Sequence, residues 1–90
     1  MTGEIIKTER VLKALANRRR LSVLKLLSSN KEMDVSEIAL AIKLSFKSTS
    51  KHLTVLRLCD LVERDQRGPQ VYYRLADKLD NISRYILSNI

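Results

Sequence analysis

The chain has few residues of the kinds that break helices or link segments covalently. Its 90 residues include one proline, two glycines, one cysteine and no tryptophan. So few breaks predict a mainly helical chain. Because Cys59 is the only cysteine, an intramolecular disulfide and a thiolate metal cluster within one chain are excluded. This usage suits a reducing, intracellular setting.

Acidic residues are in deficit, and the excess positive charge is segregated. The chain has 17 Lys and Arg against 10 Asp and Glu, a formal net charge of +7. Residues 10–31 hold seven Lys or Arg and no acid, and residues 38–59 hold four more plus His52, again with no acid. This favours a polyanionic partner, with nucleic acid ahead of an anionic membrane. A basic surface that only aids solubility is the alternative.

Long apolar runs are also missing. No stretch approaches the ~20 apolar residues of a membrane span, and Lys7, Glu9 and Arg10 interrupt any secretory signal. We therefore expect one cytoplasmic domain over residues 1–90.

The chain has no glycine-rich phosphate loop, and its single His and Cys lie seven residues apart on one helix. Neither an enzyme nor a cofactor is expected.

Capping signals divide the first half of the chain into helices. Apolar spacing predicts a first helix at about residues 4–16, and Asn17 is placed to cap the next one. Asp34 and Glu37 have the spacing of a capping box, which opens a short helix ending near Lys43. Ser45 is the next capping candidate. Two helices joined so closely predict a helix-turn-helix unit.

The helix that follows Ser45 has the composition of a DNA-reading helix. Thr49, Leu53 and Leu56 recur at helical spacing and are predicted to face the core. The other side is short, polar or cationic and carries no acid, as contacts to base edges and phosphates require. An ordinary amphipathic surface helix, the alternative, would carry both signs of charge. The residues of this side are Lys47, Ser50, Lys51, Thr54 and Arg57.

A hairpin and a last helix complete the predicted fold. Residues 62–67 and 70–75 alternate as strands around Gly68-Pro69, with Arg64 and Arg67 as candidate DNA contacts. The fold class is therefore mainly α with a small β-hairpin. It is a winged helix-turn-helix with about five helices and a two-stranded antiparallel wing.

The two terminal helices carry surplus apolar residues. The last helix is predicted at about residues 77–90. An uncovered apolar stripe must fold back or meet another chain. We expect a homodimer interface, the alternative being that both helices pack within a monomer. The predicted interface residues are Ile5, Leu12, Leu79, Ile82 and Ile86.

The sequence resembles the ArsR-type (ArsR/SmtB) winged-helix repressors of prokaryotes over about residues 10–75. The SKHL tetrad at 50–53, followed by VLR at 55–57, is especially close to the family pattern. The segments that carry the resemblance are LKALANRRRLSVLKLL at 12–27, EMDVSEIALAI at 32–42, LSFKSTSKHLTVLRLCDLV at 44–62 and RGPQVYYRL at 67–75.

The resemblance implies a homodimer that places one recognition helix of each subunit in the major groove. Phe46 departs from the family pattern, in which a polar residue is usual. It either packs against the preceding helix or contacts a thymine methyl. The family's DNA-contacting positions match Ser45, Lys47, Ser48, Ser50, Lys51 and His52 on the helix, and Arg67 and Gln70 on the wing.

The metal-sensing positions of the family are not matched. Where many relatives have two cysteines, this chain has Asp34 and Ser36, and its last helix has no His. Because transition metals prefer His or Cys ligands, no metal site is expected. Cys59 is interpreted as a buried structural residue rather than a redox sensor.

These observations predict a sequence-specific regulator of transcription that binds double-stranded DNA. It is expected to act as a repressor and to bind a near-palindromic operator as a homodimer. A non-specific DNA-coating protein and a winged-helix protein-interaction module are the alternatives. A small-molecule effector is left open.

Overall fold

A computed structural model describes residues 2–90 and contains five α-helices and three β-strands. This confirms the predicted winged helix-turn-helix. Within residues 2–90, no helix has both the length and the apolar character needed to cross a membrane. The elements are α1 (Gly3–Leu15), α2 (Arg18–Ser29), β1 (Met33–Asp34), α3 (Val35–Ile42), α4 (Phe46–Leu58), β2 (Val62–Arg67), β3 (Gln70–Leu75) and α5 (Asn81–Ser88).

Helices α2 and α3 begin at the capping residues that the sequence predicts. The Asn17 side chain accepts hydrogen bonds from the amides of Arg19 and Arg20 at the start of α2. Asp34 and Glu37 form the predicted capping box, which satisfies amides that have no partner within the helix. α3 ends at Ile42, and its C-cap Lys43 has a left-handed backbone with φ of 57°. This turn leads directly into α4.

The core lies where α2, α3 and α4 meet the sheet. Leu24, Ile38, Leu53, Leu56 and Leu61 are fully buried there. Burying one such side chain stabilises the fold by roughly 1.5–3 kcal/mol. Because α3 and α4 share this core, the position of α4 relative to the sheet is fixed by packing.

The wing has one strand more than predicted. The hairpin pairs as expected, from Val62 opposite Leu75 to Arg67 opposite Gln70, and Gly68 turns it with φ of 61°. The two-residue strand β1 then pairs antiparallel with the other edge of β3, so the strand order is β1-β3-β2. β1 was missed because two residues are too short to show an alternating pattern.

The last helix is shorter than predicted. It begins at Asn81 rather than near Asp77, because the Asp80 side chain accepts from the Ser83 amide at 2.8 Å and caps it. The Asp77 amide donates to Glu63 on β2. Leu79, expected on this helix, therefore lies in the segment before it.

Candidate nucleic-acid interface

Helix α4 is held with one side in the core and the other towards solvent. Its N-cap Ser45 accepts a hydrogen bond from the Ser48 amide at 3.1 Å. Thr49, Leu53 and Leu56 are fully buried, as predicted. The buried side therefore fixes the rotation of the helix about its axis, and hence which residues remain exposed.

The exposed side of α4 brings together most of the predicted contact residues. Lys47, Lys51 and Thr54 are exposed, and Ser50 is partly exposed. Together with Phe46 and Val55 they line one shallow depression on the surface. Nothing acidic lines this depression, so the surface suits a polyanion.

His52 lies on the flank of α4 that faces α2. Its Nδ1 is 3.4 Å from Nη1 of Arg20, whose guanidinium also donates to the carbonyls of Ala14 (2.6 Å) and Lys13 (3.1 Å). Burial, and then the charges of Arg20 and Arg19, hold the pKa of His52 below 6.5. The lowered pKa favours the neutral imidazole. Because a guanidinium only donates, the neutral tautomer that accepts this contact at Nδ1 is the one with its proton on Nε2, where it can donate.

Arg20 was not identified from the sequence as part of the site. It joins the end of α1 to the start of α2 and reaches α4 through His52. Arg19 similarly donates to the Ile42 carbonyl at 2.7 Å, at the end of α3. No local pattern reveals these contacts, since Arg20 and His52 are 32 residues apart.

Arg67, one of the three predicted wing contacts, forms hydrogen bonds within the protein. Its two terminal nitrogens donate to both carboxylate oxygens of Glu32 at 2.7 Å, and Nε donates to Asp65 at 2.9 Å. Its guanidinium also lies 4.5 Å from the centre of the Tyr72 ring. The hydrogen bond from Arg67 lowers the pKa of Glu32, and Glu32 raises that of Arg67. The guanidinium thus links the hairpin to the segment before β1.

The other two predicted wing residues are arranged differently. Arg64 is exposed and donates to the Gln66 side chain at 3.3 Å, and within residues 2–90 it forms no ion pair. Gln70 accepts from the Tyr72 hydroxyl at 2.9 Å. Arg74, the third arginine of the hairpin, pairs with Glu63. In the described part of the chain, Arg64 is therefore the hairpin arginine without an ion pair.

The predicted dimer residues divide into two groups. Ile5, Leu12 and Ile82 are exposed, whereas Leu79 and Ile86 are partly buried against the chain's own core. Ile6 and Tyr85 are further exposed apolar side chains of these two helices, and Ile90 is exposed beyond the end of α5. The two helices thus present apolar surface to solvent, although part of the apolar stripe of α5 packs against the core of the same chain.

Cys59 lies at the C-terminal cap of α4 and is only partly buried. Its Sγ donates to the Arg10 carbonyl at 3.8 Å, and burial is the main cause that raises the pKa of its thiol. The reactive thiolate is accordingly a minor species at pH 7. Within residues 2–90, no three His, Cys, Asp or Glu side chains are grouped to hold a metal.

Comparison with known proteins identifies the family. The profile described as "Bacterial regulatory protein, arsR family" matches residues 17–64, more than half of the chain. The chain belongs to the arsR family. The matched residues of this arsR protein run from the N-cap of α2 into β2. They therefore include the whole helix-turn-helix.

Two relatives support this membership. The transcriptional activator HlyU of Vibrio cholerae is 39% identical over 66 residues, which cover 73% of this chain and 60% of HlyU. The transcriptional regulator Rv0324 of Mycobacterium tuberculosis is 43% identical over 67 residues, covering 74% of this chain but 29% of the relative. The chain therefore matches less than two thirds of the length of either relative.

Solved structures show the same fold. A structure of HlyU from Vibrio cholerae has a TM-score of 0.80 and 31% identity, and the match covers 99% of this chain and 92% of that chain. A homodimeric winged helix-turn-helix DNA-binding domain from Mycobacterium bovis has a TM-score of 0.81 and 32% identity, with 99% and 85% coverage. The arsR fold of this chain is thus established over nearly its whole length.

Proposed function

We propose that this arsR-family protein is a sequence-specific transcriptional regulator that binds double-stranded DNA as a homodimer. The observation that carries the proposal is the acid-free exposed side of α4, held in place by the core residues Thr49, Leu53 and Leu56. A helix of this kind enters the major groove with its N-terminal residues towards the base edges.

The residues of α4 are assigned by their chemistry. Lys47 and Lys51 are exposed cations suited to phosphates. Ser45, Ser48 and Ser50 offer hydroxyls near the N-terminus of α4, suited to base edges or phosphates. Neutral His52 offers its Nε2 proton as a donor. On the wing we propose Arg64 and Gln70 as contacts, and Arg67 mainly as the residue that holds the hairpin to Glu32.

The homodimer is proposed from the apolar surface of the terminal helices. Ile5 and Leu12 on α1, and Ile82 and Tyr85 on α5, are exposed. The related Mycobacterium bovis domain is described as homodimeric. A two-fold dimer would place its recognition helices roughly 34 Å apart, one turn of the duplex, and so would bind a near-palindromic operator.

Repression is the direction of control that the sequence resemblance implies, whereas HlyU is described as an activator. We propose repression by occupation of the operator. Expression of a reporter from an operator-containing promoter, with and without the protein, tests this: higher expression in the presence of the protein would contradict it.

Selection from a random duplex pool tests the proposed function. The purified protein is mixed with the pool at about 150 mM salt, near physiological ionic strength. Enrichment of an inverted repeat is expected. Retention without enrichment would indicate a DNA-coating protein, and no retention would contradict DNA binding.

Lys51→Ala tests the assignment of the α4 cations. We expect weaker binding to every sequence, and a salt dependence whose slope is smaller by about one phosphate contact. Lys7→Ala on α1 is the matched control, since it removes the same charge from an exposed position outside the proposed DNA-contacting surface. Equal affinities and slopes for the two variants would argue against Lys51 as a phosphate contact.

A further inference from the structure

Phe46 is a large apolar side chain exposed at the start of the proposed reading helix. It is the first residue of α4 and is 58% exposed. The fold does not require it there, because the core side of α4 is filled by Thr49, Leu53 and Leu56. Packing against the preceding helix, one of the two roles considered from the sequence, therefore accounts for less than half of its surface.

The depression that Phe46 lines is apolar at several points. Val55, which also lines it, is 37% exposed. Thr54 lines the same depression and donates its hydroxyl proton to the Ser50 carbonyl at 2.9 Å. With that proton used inside the helix, Thr54 can accept but not donate a hydrogen bond to a base.

The charged residues beside Phe46 indicate what covers it. Lys47 is its neighbour in sequence, and Lys51 lines the same depression. An occupant of this surface must satisfy cations and an apolar ring together. The major groove of DNA provides both kinds of contact. Phosphates border the groove, and the thymine C5-methyl group is an apolar group exposed on its floor.

We propose that Phe46 reads a thymine methyl group in the major groove, so that one position of each half-site is selected by apolar contact rather than by a hydrogen bond. This inference rests on the proposed function. It implies that one base in each operator half-site is recognised as thymine through its methyl, which uracil lacks.

The test uses the operator obtained from the pool selection. Each thymine is replaced in turn by deoxyuridine, which removes only the C5-methyl group. At one position per half-site, binding by the unaltered protein should weaken about fourfold, the fold-change that corresponds to ~0.8 kcal/mol for burying one methyl-sized group. Phe46→Ala should bind the thymine and uracil duplexes equally at that position.

Two further variants make the result specific to Phe46. Leu58→Ala is the matched control, because Leu58 is an exposed apolar residue of the same helix and lies roughly 18 Å further along its axis. It should keep the fourfold discrimination. Phe46→Gln should instead shift the preference at that position towards adenine, whose N6 and N7 match an amide.

The outcomes separate this proposal from the proposed function. An enriched operator whose uracil substitutions are all neutral would overturn the methyl contact while leaving DNA recognition intact. Unchanged thymine discrimination by a folded Phe46→Ala, checked by thermal unfolding, would assign the contact to another residue and overturn the role of Phe46. A pool without enrichment would contradict the proposed function, and this proposal with it.

Discussion

At the scale of single residues, α4 contains side chains whose surroundings do not match their chemistry. Thr49 is fully buried, and its hydroxyl has no hydrogen-bond partner within residues 2–90. His52 lies beside the guanidinium of Arg20. Both features are expected to lower the free energy of unfolding, and substitution of each residue measures the effect.

Thr49→Val should stabilise the protein. Valine has nearly the same shape as threonine and removes an unpaired buried hydroxyl, so we expect a gain of about 1 kcal/mol in the free energy of unfolding. Urea denaturation measures it. Thr54→Val is the control, since Thr54 is exposed and its hydroxyl is bonded. A loss of stability in Thr49→Val would reveal a partner for the hydroxyl.

His52 should make stability depend on pH. Its pKa in the folded protein is below the 6.5 of an exposed histidine. Well above pH 6.5 the residue is neutral in both states and contributes nothing to the pH dependence. As the pH falls through 6.5, the unfolded chain binds the proton first, so stability is lost until the pH passes the folded pKa.

His52→Gln provides the comparison for this pH effect. Glutamine does not titrate, and its amide oxygen can accept from Arg20. Unfolding measured between about pH 5 and pH 8 should show the parent protein losing stability relative to the variant as the pH falls. Parallel curves for the two proteins would contradict a lowered pKa at His52.

At the scale of elements, side-chain caps decide where the helices begin. Asn17, Asp34 and Ser45 cap the elements that the sequence predicts. Asp80 does the same for α5, and its second oxygen accepts from the hydroxyl of Ser83, which is fully buried, at 2.7 Å. The Asp80 carboxylate therefore caps α5 and also provides a hydrogen-bond acceptor for the buried Ser83 hydroxyl.

Asp80→Ala should destabilise the protein by about 2 kcal/mol, since it removes a helix cap and leaves the Ser83 hydroxyl unpaired. Asp80→Asn, which keeps a side-chain oxygen acceptor, should recover most of this loss. Asp77→Ala is the control, because Asp77 is exposed and joins the sheet through its backbone amide. Equal urea midpoints for the two alanine variants would exclude a capping role.

At the scale of the whole molecule, the two terminal helices remain partly uncovered. Tyr85 is 69% exposed and Ile5 is 54% exposed. Ile86 packs partly against the core, so an acidic residue there would disturb folding as well as association. Substitutions at Ile5 and Tyr85 are therefore the cleaner test of the proposed dimer.

The double variant Ile5→Asp, Tyr85→Asp should be monomeric at micromolar concentration, because it places charge in the proposed apolar interface. Its operator affinity should fall by at least about tenfold, since the two half-sites are then no longer bound by linked subunits. Sedimentation velocity measures the assembly. Leu40→Asp, at an exposed leucine of α3, should stay dimeric. A dimeric double variant would place the interface elsewhere.

Several elements can be predicted from the sequence because their signals are local. The caps at Asn17, Asp34 and Ser45 act over two or three residues. The stripe of Thr49, Leu53 and Leu56 follows from the period of the helix. The exposed, acid-free side of α4 follows in turn, because burying one side of a helix exposes the other.

Contacts between residues far apart in the sequence depend on the fold of the whole chain. It pairs Arg67 with Glu32, 35 residues away, and Arg20 with His52, 32 residues away. It also adds β1 to the edge of β3. Such contacts depend on the path of the whole chain, and no periodic pattern in the sequence indicates which side chain is the partner. For this reason the sequence assigned Arg67 to DNA contact alone, whereas the fold commits its guanidinium to two carboxylates.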